Sequence, residues 1–155
     1  MKLAITLPLD LTSARQHWAT TSRLQAWLLA LPTHHDWQIF IWPETQWFWP
    51  KAPHLTYHVI PADSLVEWEQ VNLIYAMQRE GCQAVIAPLG TAPLISMLPV
   101  FLTRQWADWI GSSPFVSYFN SVHERVRAKA HPTIEPWSGE ELERQLEALF
   151  DGACC

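Results

Sequence analysis

The feature that most constrains this chain is an alternation of two kinds of segment. Short apolar runs, rich in β-branched and aromatic residues, occupy 2–7, 37–42, 55–60, 84–87 and 100–103. Each reads as a buried strand. Helical patterns separate most of them. Thr12 or Ser13 can cap a helix to about Leu31, with Leu24, Trp27, Leu28 and Leu31 spaced i, i+3, i+4, i+7. Ser64-Leu65-Val66-Glu67 is a capping box that opens a second helix to about Glu80, with Gly81 as its stop. Strands alternating with helices of this length predict βαβ crossovers and a mostly parallel sheet covered on both faces. The expected fold is α/β, one Rossmann-like three-layer domain over 1–155 with about five strands. Residues 1–110 form its sheet core and 111–155 a helical closing segment. In that segment Ser121 to Glu124 forms a capping box for a short helix to about Ala130. Ser138 to Glu141 forms another, with Trp137 and Leu142 as a staple. The stripe Leu142, Leu146, Leu149 and Phe150 predicts an amphipathic helix packed back onto the sheet.

Length and charge exclude several functions. A chain of 155 residues buries roughly 70% of its unfolded surface, enough for one real core. Ten basic against 15 acidic residues give a net charge of −5, with no basic footprint for nucleic acid. No run of roughly 18 uncharged apolar residues occurs, so no transmembrane helix is expected. The first ten residues turn acidic too early for a signal peptide. Cys82, Cys154 and Cys155 supply neither a disulfide framework nor CxxC spacing, and the expected compartment is the cytoplasm.

The usual chemical motifs are missing. The 5 glycines are scattered, so GxGxxG and P-loop cradles are absent and no NAD, ATP or GTP cofactor is expected. A GxSxG nucleophile elbow is absent too. His34, His35, His54 and His58 lack the spacing of a metal site, and no metal is expected. Pro43 to Pro53 reads as an ordered but irregular loop, and 42–50 concentrates Trp42, Trp47 and Trp49 among prolines. These rings either stack on a sugar or a protein partner, or cover the sheet edge. As an apolar patch they would dock another chain or a second copy.

In a parallel sheet a ligand sits beyond the carboxyl ends of the strands. That places a candidate site at Gly90 and Thr91 after the fourth strand and at Arg104 and Gln105 after the fifth. Glycine allows close backbone approach, threonine offers a hydroxyl, and arginine suits a carboxylate or phosphate. A sugar or acidic small molecule would fit. Arg104 could instead pair with Asp108 at the surface. Asp108 and Glu69 are the nearby carboxylates, and neither has an assured neighbour to tune it as a base.

Residues 68–103 carry a resemblance. Trp68-Glu69-Gln70 opens an apolar helix to Arg79, followed by Cys82-Gln83-Ala84-Val85-Ile86-Ala87-Pro88, then Ala92-Pro93-Leu94 and Pro99-Val100-Phe101-Leu102-Thr103. This resembles the N-terminal, acceptor-side domain of GT-B glycosyltransferases of the family-4 type, over about two-thirds of the chain. Pro136-Trp137-Ser138 before the last helix is similar to the end of such enzymes. Where that family has His-Asp, this chain has Arg104-Gln105. Its first loop, Pro8-Leu9-Asp10-Leu11, lacks paired glycines, and no donor-nucleotide domain fits in the length. The resemblance implies a glycosyltransferase-like single domain acting as a binding or partner subunit. The alternatives are half of a split two-subunit glycosyltransferase, or an unrelated Rossmann-like interaction module.

Overall fold

The first apolar run forms β1 (Lys2–Leu7), in which every residue from Leu3 to Leu7 is buried. A strand takes that pattern only when it is central and covered on both faces. In the computed structural model, which describes residues 1–16, 18–95, 98–102, 116–129, 144, 147 and 148, β1 has that place. It pairs in parallel with β2 (Asp36–Ile41) on one side and with β4 (Ala84–Ala87) on the other. Outside these lie β3 (Leu55–Val59) and β5 (Val100–Leu102). The five-stranded sheet has the order β3-β2-β1-β4-β5 and is parallel throughout. This is the Rossmann-like α/β arrangement expected above, and its order reverses between β1 and β4.

The pleat separates two faces. Tyr57 hydrogen-bonds the Pro50 carbonyl and Trp37 donates to the Pro32 carbonyl at 2.8 Å, so odd-numbered positions of β2 and β3 face the first helical layer and the loops around it. That layer is α1 (Leu11–Gln16) and α2 (Trp18–Ala30). Even-numbered His58 lies 3.9 Å from Glu80 and marks the opposite face. There a helical rod runs through α3 (Leu65–Glu67), a π-helical stretch (Trp68–Asn72) and α4 (Leu73–Glu80). Its start keeps the Ser64 half of the expected capping box, while Glu67 reaches one residue further back, to Asp63. Ser64 Oγ accepts from the Glu67 amide at 3.2 Å, and the Glu67 carboxylate accepts from the Asp63 amide at 3.1 Å. Gly81 ends the rod at φ 69°, with its amide on the Gln78 carbonyl and that of Cys82 on Met77. This double bond is a Schellman motif.

Four local expectations need correction. The first helix starts at Leu11, two or three positions early, and the Asp10 carbonyl takes the Ala14 amide at 2.9 Å. Thr12 and Ser13 therefore stand inside its first turn. Residues Pro43–Phe48 form a 3-10 helix instead of an irregular loop, because Pro43 has no amide to lose at a first helical position. The rod includes a π stretch that a regular helical pattern does not encode. Finally, α5 spans Val116–Lys129, so Ser121 lies in its interior. Val122 and Val126 are buried on the side that carries Tyr118, and this packing outweighs the local cap signal. Among the described residues no helix is long and apolar enough to cross a membrane. Thr103, Cys154 and Cys155 lie outside the described residues, as do Leu142, Leu146, Leu149 and Phe150 of the last expected helix, in which Arg144, Glu147 and Ala148 are described and helical.

Candidate functional site

The strand order reverses between β1 and β4, past Leu7 and Ala87, the position where parallel sheets bind ligands. After β4 the chain turns at Ala87 to Gly90, whose amide returns to the Ala87 carbonyl at 3.2 Å. Gly90 has φ 87°, which a side chain would strain. Residues 88–93 are then all buried.

What holds this loop is a pair of adjacent polar residues on the rod. The π turn, closed by the Leu73 amide on the Trp68 carbonyl, widens the helix where Glu69 and Gln70 leave it. Glu69 is 0% exposed. Its Oε2 accepts from the Thr91 hydroxyl at 2.6 Å, and its Oε1 accepts from the Tyr118 hydroxyl at 2.7 Å and the Gln70 amide at 3.2 Å. Gln70 also donates to the Ala92 carbonyl at 3.1 Å and accepts from the Leu94 amide at 2.8 Å. His123 of α5 donates from Nδ1 to the Gly90 carbonyl at 2.8 Å. The cluster therefore ties three pieces of chain together: the rod, the loop after β4, and α5.

Burial pushes the Glu69 carboxyl up to about 7, although the three donors pull it down. Burial, and then the neighbouring Glu69 charge, push the Tyr118 phenol upward, so it stays protonated and donates. Thr6 Oγ1, at the end of β1, and Trp68 Nε1 are buried with no hydrogen-bond partner among the described residues.

Of the residues singled out in the sequence, Gly90 and Thr91 come together here. The Thr91 hydroxyl is fully buried and spent on Glu69, so it is not offered outward. Arg104, Gln105 and Asp108 lie outside the described residues. The tryptophans divide. Trp47 is 85% exposed, whereas Trp49 turns inward, 4% exposed, with Nε1 3.3 Å from Thr45 Oγ1. Trp42 is half-buried against Trp68, ring centroids 6.2 Å apart. The Trp-rich patch expected over 42–49 thus reduces to Trp47, because the 3-10 turn alternates its rings between solvent and core. The histidines also separate: His54 contacts the Leu28 carbonyl, and His58 the Gln38 side chain at 2.6 Å.

Tyr118 was not singled out in the sequence, and Glu69 only as a nearby carboxylate and as part of Trp68-Glu69-Gln70. Glu69 did carry a signal, since it falls four residues after Leu65 and four before Leu73, on an otherwise apolar stripe. No family model, curated protein or solved structure matches this chain.

Proposed function

We propose that the chain is a glycosyltransferase-like α/β domain that serves as a partner subunit, and not as a free-standing enzyme. Its working place is the cytoplasm and its partner another protein chain. The observation that carries this reading is the state of Glu69. It is a carboxylate bonded to the loop after β4, with a pKa raised toward neutrality, as a general base needs. Yet it is fully buried and holds three protein donors. A base must reach the proton that it takes, and this carboxylate is enclosed by its own partners. Its work is to position the loop and α5. That favours the partner subunit over the half-enzyme.

A second reading is a sugar or acidic small molecule held over Gly90, Thr91, Arg104 and Gln105. The Thr6 hydroxyl and Trp68 indole, buried without a partner among the described residues, favour it, because buried polar groups ordinarily have partners. One experiment separates the readings. The isolated chain is incubated with nucleotide sugars and simple acceptors, and nucleotide release is followed beside a sugar and sugar-phosphate NMR titration. The partner reading expects neither turnover nor shifts. Turnover by the isolated chain, abolished by Glu69→Gln, overturns the partner reading, and saturable shifts at Gly90 and Thr91 without turnover establish the ligand site.

A further inference from the structure

β3 is an edge strand, paired with β2 on one side alone. The Trp37 amide donates to the His54 carbonyl and the Ile60 amide to the Ile41 carbonyl. In a parallel ladder these bonds turn even-numbered residues toward β2 and leave the amides and carbonyls of Tyr57 and Val59 pointing outward. No described strand pairs with them. Such an edge is a template for another strand.

Two grooves flank this edge and meet at Val59. The first, about 420 Å³, lies against the 3-10 segment and is lined by Gln46, Trp47, Trp49, Lys51, Tyr57 and Val59. The second, about 260 Å³, lies against α4 and includes Val59, Pro61, Tyr75 and Arg79. Each groove presents one exposed aromatic ring and one cation, and neither lining contains an acidic residue. Arg79 also meets Glu80 at 3.6 Å, but its side chain is 74% exposed and stays open to a partner.

We propose that the β3 edge binds an extended acidic peptide of a partner protein by strand addition. An added strand sends alternate side chains to opposite faces, which here means one to each groove. Apolar side chains of the guest pack on Trp47 and Tyr75, and its carboxylates meet Lys51 and Arg79. A second copy of this chain suits the edge poorly, because its own β3 residues Leu55 to Val59 include no carboxylate and its cations would face ours. The proposal deepens the partner-subunit reading by naming the surface and the class of partner.

The test uses the full chain and a synthetic seven-residue peptide alternating glutamate and valine. The expected result is saturable NMR shifts at the Tyr57 and Val59 amides and the Trp47 indole, weakening as salt rises. Lys51→Glu with Arg79→Glu, both at the surface, should weaken binding about tenfold or more. Val59→Pro removes only an outward amide, which an edge strand tolerates, and should abolish the shifts while circular dichroism stays native. The proposal is overturned by no shift at about 1 mM peptide, by shifts mapping elsewhere, or by an equal response to a lysine–valine peptide. A dimer in sedimentation that protects the Tyr57 and Val59 amides from exchange also overturns it, since the edge would then belong to a second copy. Failure of the peptide with no sugar turnover defeats this proposal alone. Turnover by the isolated chain defeats the partner reading whatever the peptide does.

Discussion

Thr91 donates a 2.6 Å hydrogen bond to Glu69 across 22 residues of chain, and both side chains are 0% exposed. The bond joins the loop after β4 to the π turn of the rod. Tyr118 brings α5 to the same carboxylate. The end of the sheet is therefore organised around one buried titratable group.

The pH dependence follows from that group. Folded Glu69 titrates near 7 and its ordinary value is 4.5, so between these values the native protein keeps a proton that the unfolded chain has lost. Its contribution is complete below 4.5 and is lost as pH rises through 7. The difference in stability between wild type and Glu69→Gln should therefore change by up to about 3 kcal/mol from pH 4 to pH 8, against the wild type at the higher pH. Urea unfolding at both pH values measures it. Parallel pH profiles would show that the carboxyl titrates normally.

Thr91→Val keeps the side-chain shape and removes the donor. The carboxylate oxygen left behind has lost its partner, at a cost of about 1–3 kcal/mol. The cost should be larger at pH 8 than at pH 5. Loss of this bond should also raise the Glu69 pKa further, which carboxyl carbon NMR reads directly.

The two ends of the Trp-rich segment should respond in opposite ways. Trp49 is 4% exposed, so Trp49→Ala should cost about 3–5 kcal/mol. Trp47 is 85% exposed, and Trp47→Ala should change stability by less than about 0.5 kcal/mol. Tryptophan quenching by iodide should fall in the Trp47 variant. Denaturant midpoints check both.

Gly81→Ala isolates a backbone effect. No atom lies within 4 Å of an added Cβ, so only the φ of 69° resists it. A melting-temperature drop equivalent to about 1–2 kcal/mol is expected. An unchanged melt would mean that the rod can end without its left-handed cap.

Strands were legible from the sequence because burial on both faces leaves continuous apolar runs. The expected bounds of β1 and β4 match Lys2–Leu7 and Ala84–Ala87. Gly81 and the Ser64 cap were legible for a different reason, since each does a local backbone job. The site was not. Glu69 becomes a hub only when a π turn aims it at Thr91 and when α5 delivers Tyr118, and neither event has a local signature. The inward turn of Trp49 was hidden for the same reason. Its neighbours Thr45 and Pro50 give no hint of which ring the sheet will cover.

The central position of β1 has a consequence for how the chain is made. Leu3 pairs with Trp37 early, but its other neighbour, Ala84, is translated much later. At roughly 5–20 residues per second, one flank of β1 waits on the order of several seconds for its mate. During that wait a strand built to be covered on both faces offers a bare row of amides and carbonyls to whatever is nearby. The middle of the finished sheet is thus sealed late on the ribosome, with only the β4–β5 seam after it, and a nascent-chain chaperone would find its grip there.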